Sequence, residues 1–287
     1  MSFYGPPVAF ALFVWWFSTG LIIVLDNLPR RTFAWSMLAM SGVSGYALYR
    51  LSYASLDATP HGAYTAFTCG LLIWGWHEMS FLMGFVTGSR RVACDGSCTF
   101  WSHFRHGVQA VIHHELAIIA GFVCIVVLSW GGANQVGMWT YAILWGMRVS
   151  AKLNLFLGVR NLNESFLPEH LRYLGSFFRV RDMNLLFPVS VTLGMVLSII
   201  LVQRAAVADP FLATAYAIAA TMTVLGVVEH WAMILPVPFA ALWNWRPSRK
   251  PVLPEVVLYD CAEPAHVHVH SHIHAHPGPR LYAADPR

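Results

Sequence analysis

AYTAFTCGLLIWGWHEMSFLMGFV, residues 63–86, is the stretch that decides how this chain folds. It is apolar over a length that crosses about 30 Å of hydrocarbon, and its pattern is that of a membrane-spanning helix. His77 and Glu78 nevertheless stand inside it. An ionisable group in lipid costs roughly 2.5 kcal/mol or more, so such a pair has to face other protein, a metal or a ligand. Two further apolar runs repeat the arrangement, with His113-His114-Glu115 and Glu229-His230.

Working outward from this run, apolar stretches of similar length occupy 8–25, 33–51, 108–130, 138–158, 186–205 and 212–235. The 287 residues are 57% hydrophobic and only 11% charged, against about 25% charged in ordinary globular domains. The expectation is an all-α polytopic integral membrane bundle of about seven transmembrane helices, filling residues 1–246. The first stretch lacks a basic flank and a small-residue cleavage site, so it reads as a retained anchor. A Pro- and His-rich tail over 247–287 is expected to be disordered and cytoplasmic.

Loop charges give an orientation. Arg30, Arg31, Arg90, Arg91, Arg105, Arg160, Arg172, Arg179, Arg181, Arg246, Arg249 and Lys250 fall on one side, with Arg50 and Arg204 opposite. By the positive-inside rule the N-terminus is periplasmic and the C-terminus cytoplasmic. The net charge of +4 is spread through these loops without a dense basic cluster, which argues against a nucleic-acid partner. Cys69 and Cys124 lie within helices and Cys94, Cys98 and Cys261 on the reducing side, so free thiols are expected. In the second span, Ser41-Gly42-Val43-Ser44-Gly45 would let a neighbouring backbone approach. Residues 166–174 have the Pro and apolar spacing of an interfacial amphipathic helix.

At a rise of about 1.5 Å per residue, Glu78, His114 and Glu229 reach similar depths, about 8–12 Å in from the cytoplasmic ends. Arg148 and Lys152, four apart on the fifth helix and so on one face, enter the same layer. The layer therefore comprises His77, Glu78, His113, His114, Glu115, Arg148, Lys152, Glu229 and His230. Neighbouring helical residues diverge by about 100°, so only one or two members of each cluster can point inward. Three readings stand: a structural polar network with a carboxylate paired to Arg148 or Lys152; an imidazole ligand to the magnesium of a bacteriochlorophyll or other tetrapyrrole; and a His/Glu iron centre. The iron reading is weakened because His103-x-x-His106 followed by His113-His114 has no companion histidine boxes.

Two further donor sets lie on the cytoplasmic side. Cys94, Cys98, His103 and His106 offer the right atoms for tetrahedral zinc, but their spacing is not that of a standard finger and is better read as a loop running into a helix. In the tail His266, His268, His270, His272, His274 and His276 alternate along one edge of an extended segment, a pattern that chelates transition metals. The longer connections 87–107 and 159–183 make this the face for recognition, with Asn154, Arg160, Asn161, Asn163 and His170 as candidates.

The strings 150–163 (SAKLNLFLGVRNLN), Phe166-Leu167-Pro168, Phe177-Phe178-Arg179, Met183-Asn184 and Phe187-Pro188 resemble the PuhE family, the photosynthetic complex assembly protein 2 of purple and related phototrophic bacteria. The likeness runs from Phe13-Val14-Trp15-Trp16-Phe17-Ser18-Thr19-Gly20 through His113-His114-Glu115-Leu116 to Glu229-His230-Trp231 and covers about residues 1–245. It implies a multi-pass protein of the bacterial inner or intracytoplasmic membrane. Such a protein would assemble the reaction centre and core antenna or modulate bacteriochlorophyll supply, with their subunits or pigment biosynthesis enzymes and membrane lipid as partners. No catalytic residue is carried over. A metal-dependent oxidoreductase acting on a pigment, quinone or lipid is the alternative.

Overall fold

The computed structural model describes residues 4–94, 98–162 and 167–235. Within them lie seven α-helices: α1 Gly5–Asp26, α2 Phe33–Ala54, α3 Pro60–Leu82, α4 Phe100–Leu128, α5 Val136–Leu157, α6 Leu186–Val207 and α7 Pro210–Ala232. Prolines open α1, α3 and α7, where the missing N–H is no loss. Side-chain caps fix three starts: Thr59 accepts from Gly62 N–H at 3.1 Å, Thr99 from Ser102 N–H at 3.4 Å, and Asp209 from Leu212 N–H at 3.0 Å. The cap at Thr99 explains why α4 begins at Phe100, well before the apolar run at 108. At the other end of α3, Gly84 at φ 80° turns the chain away, so the helix stops at Leu82 rather than at 86.

α1, α4, α6 and α7 are each long and apolar enough to cross a membrane. Together they make this a multi-pass helical membrane protein. α2, α3 and α5 are less apolar for a physical reason that is clearest at α3, which packs against α1, α2, α4, α5 and α7. A helix surrounded by protein can carry His, Glu and Thr that a lipid-facing one cannot. α6 is the opposite case: it lies along α7 and leaves Leu193, Val196, Ile200 and Val202 exposed.

Two expectations change. The glycines of the small-residue stretch in α2 face open space, since a Cβ on Gly42 or Gly45 would meet nothing within 4 Å. Close backbone approach occurs instead between α3 and α5, where a Cβ on Gly70 would lie 2.7 Å from the Gly137 carbonyl oxygen. Ser41 serves as acceptor for the Trp76 indole N–H at 2.9 Å. The expected amphipathic α-helix is a 3-10 helix, Glu169–Phe177, and its apolar edge docks on protein rather than lipid. Leu171, Leu174 and Phe177 recur every third residue, which aligns them in a 3-10 helix, and they pack with Phe81, Cys94 and Ala110.

Candidate functional site

α5 carries the two cations that organise the interior. Arg148 Nη2 lies 2.9 Å from Glu78 Oε2 on α3, and one turn further Lys152 Nζ lies 2.5 Å from Glu115 Oε1 on α4. The ammonium of Lys152 also sits 5.6 Å from the centre of the Phe81 ring, within reach of a cation–π attraction. Glu229, on α7, faces the same space and is hydrogen-bonded to the Trp15 side chain of α1. Five charged side chains from four helices thus converge.

They converge on a cavity of about 1790 Å³. Its wall is mainly apolar, with Leu71, Leu72, Trp74, Ile143, Met147 and Met222 among the lining residues. Exposed apolar side chains also line it, including Leu21 and Trp35, the latter 73% exposed, with Val43, Val108, Leu153 and Val228. Asp26, Asn27, Arg30 and His170 add polar groups to the same lining.

Each His–Glu pair divides its labour. The carboxylates line the cavity, and the buried imidazoles turn into helix seams, as the 100° step between neighbours requires. His77 lies against Trp76 and Tyr141, with ring centroids 5.0 and 5.8 Å away, and the Tyr141 hydroxyl donates to the Ile118 carbonyl at 2.9 Å. A Cβ on Gly121 would stand 2.4 Å from His77 Nε2, so only glycine leaves room for the ring. His114 is fully buried against Phe81, and neither ring nitrogen has a hydrogen-bond partner. His230 Nδ1 is 2.8 Å from the Gly226 carbonyl oxygen and Nε2 is 2.8 Å from Ser150 Oγ. His113 is exposed and stands apart from the layer.

The candidates of the connecting face largely hold the chain in place. Asn154 is buried and donates to the Ser150 carbonyl at 2.9 Å and to Ser190 Oγ at 3.1 Å. Asn161 binds the end of α7: its amide N–H donates to the Met233 carbonyl at 2.8 Å, and its side chain donates to the Ala232 and Leu235 carbonyls. Arg160 forms an exposed pair with Asp182 at 2.8 Å. Asn163 and the six tail histidines lie outside the described residues. His170 lines the cavity, its Nε2 unpartnered and its ring hydrogen-bonded to the Leu82 carbonyl. Burial pushes its titration below the usual histidine range, Arg30 pushes the same way, and the Leu82 bond and Glu169 oppose them.

Cys94 Sγ and Cys98 Sγ are 3.0 Å apart, and Cys98 Sγ is 3.4 Å from His106 Nδ1. Among the described residues, it is Cys94, Cys98 and His106 whose ligand atoms gather within 4.8 Å of one another, and no set from the intramembrane layer does so. The layer builds ion pairs. Sequence reasoning gave no role to Trp15, Tyr141, Ser150, Ser190 and Asn184, whose side chains tie the helices together; Asn184 accepts from the Leu186 and Phe187 N–H groups at 2.8 and 3.1 Å, starting α6. Single Ser, Asn and Trp residues carry no periodic signal by which they could have been singled out.

Comparison with known proteins places this chain. Residues 1–252 match the family model described as protein of unknown function DUF3623. An uncharacterized 30.4 kDa protein in the puhA 5' region of Rhodobacter capsulatus is 39% identical over 241 residues, covering 82% of this chain and 87% of the relative. No solved structure matches. The chain belongs to the DUF3623 family.

Proposed function

Starting from a DUF3623 membrane protein, we propose that this chain is an inner-membrane assembly factor for the photosynthetic reaction centre and core antenna, and that it works by holding bacteriochlorophyll or a closely related tetrapyrrole during delivery. The observation that carries this is the cavity of about 1790 Å³, larger than a small metabolite needs, walled mainly by apolar side chains with a cluster of charged groups from four helices. The relative's name, with its puhA neighbourhood in a photosynthetic bacterium, and the PuhE-like strings set the context.

In this reading all seven helices cross the membrane, with the N-terminus periplasmic. The macrocycle and its hydrocarbon chain occupy the apolar volume. Arg148 and Lys152 would hold its carbonyl and ester oxygens, and a carboxylate of the cavity lining, such as Glu229, would be available to its magnesium. The oxidoreductase alternative has less support, because Glu78 and Glu115 are held by cations and the buried imidazoles face away from them.

The test is to purify the protein from a phototrophic host, extract it with organic solvent and record the pigment spectrum beside a Lys152→Met variant. About one pigment per chain is expected in the parent, with a large loss in the variant at equal protein level. A deletion strain should assemble fewer reaction centres while still completing pigment synthesis. Accumulation of one discrete pigment precursor in that strain would overturn the reading and favour the enzyme.

A further inference from the structure

Outside the cavity, the connection from α3 to α4 brings sulfur and imidazole donors to one point. We propose that Cys94, Cys98 and His106 bind a zinc ion that fastens the start of α4 to the 3-10 helix Glu169–Phe177.

The donor geometry supports the assignment. Tetrahedral zinc with bonds of about 2.3 Å to sulfur and about 2.0 Å to nitrogen sets a thiolate and an imidazole nitrogen about 3.5 Å apart. Cys98 Sγ and His106 Nδ1 are 3.4 Å apart. The two sulfurs, now 3.0 Å apart, would open to about 3.8 Å around the ion. Cys94 is 1% exposed, whereas Cys98 and His106 are half-buried, so the site is reachable by an ion and leaves its fourth position to a ligand from outside the chain.

Neighbouring groups hold the ligands in place. His103 Nδ1 lies 3.3 Å from Cys94 Sγ, and its ring is hydrogen-bonded to the Phe177 carbonyl. That makes it a positioning residue, orienting the sulfur and communicating with the 3-10 helix. The backbone N–H of Cys94 donates to Ser176 Oγ at 2.9 Å, a second tie to the same helix. Arg179 packs its guanidinium over Phe100 and Phe156, at 5.5 and 5.6 Å from their centres, beside the same imidazole. On binding, the two thiols release their protons to water as the zinc–sulfur bonds form.

The histidine tract of the tail would bind metal too, so the experiment reads sulfur ligation. Full-length protein carrying Cys261→Ser, reduced and in detergent, is titrated with cobalt(II). The expected result is a near-ultraviolet thiolate-to-cobalt charge-transfer band with tetrahedral visible bands, saturating at one ion per chain and displaced by zinc. Tail imidazoles cannot produce that band. Cys94→Ser with Cys98→Ser should abolish it, and His103→Gln should weaken zinc binding by about 10- to 100-fold, as loss of a ligand-orienting partner does. Should the double variant fail to fold, mercurial titration of the unsubstituted chain should release one zinc as two thiols react. Absence of the charge-transfer band with both thiols reduced, its survival in the double variant, or a Cys94–Cys98 disulfide in protein from membranes would each overturn the proposal.

Discussion

At the scale of single residues, the two ion pairs on α5 differ from surface pairs by where they sit. Glu78 is 12% exposed and Arg148 36%, whereas Arg160 and Asp182 are 52% and 91% exposed. Removing one partner of a buried pair costs about 3–5 kcal/mol, while an exposed pair contributes about 0–1 kcal/mol. The Arg148–Glu78 pair borders a cavity and falls between these limits. Arg148→Leu should therefore destabilise the protein by about 1–3 kcal/mol, and Arg160→Leu by about 0.5 kcal/mol or less, measured as unfolding in detergent. Equal losses would show that the cavity, not Arg148, supports Glu78. The presence of these charges was legible in the sequence because lipid makes an isolated charge so costly. The partner of each was not, since Arg148 and Lys152 share a helix face and only the packing of α3 and α4 against α5 selects between Glu78 and Glu115. Likewise His113 and His114 are equivalent as text; the rotation of α4 buries one and exposes the other.

At the scale of elements, the 3-10 helix is where sequence reasoning and structure part. An amphipathic reading of residues 166–174 puts Leu171 and Leu174 on a stripe suited to lipid, whereas a period of three carries the row on to Phe177 and aligns it on a groove that sequence alone does not reveal. Docking also places His170 beside Gly84, where a Cβ would come within 2.9 Å of the ring. Burial lowers the His170 titration when the helix is docked, assisted by Arg30 and opposed by the Leu82 carbonyl and Glu169. The undocked ring titrates near about 6.5, so below that pH the undocked state takes up a proton first. Docking is fully stable above pH 6.5, weakens as pH falls toward the depressed docked value and changes no further below it. Hydrogen exchange of residues 169–177, corrected for intrinsic rates, should stay flat from about pH 7.5 to about 6.5 and rise below about pH 6.5, by at most about tenfold per pH unit. His170→Gln should flatten that profile. A parent profile equally flat would mean that the ring stays solvated.

At the scale of the whole molecule, hydropathy and run length located the seven α-helices of the described residues, four of which are long and apolar enough to cross a membrane. The cavity was beyond reach from sequence because it is a property of gaps between helices. Reporter fusions after Asp57 and Ala133 should behave as periplasmic, and one after Arg91 as cytoplasmic; a cytoplasmic signal at Asp57 would invert or break the proposed topology. The apolar residues that line the cavity while remaining exposed, Trp35 and Val43 among them, have a quantitative consequence. In the proposed function a pigment guest passes these side chains directly from the bilayer and never crosses bulk water, so its occupancy follows its mole fraction in the bilayer rather than a molar concentration. Binding measured in detergent will then scale with micelle volume, and affinities from different preparations will agree only when expressed per lipid or per detergent molecule.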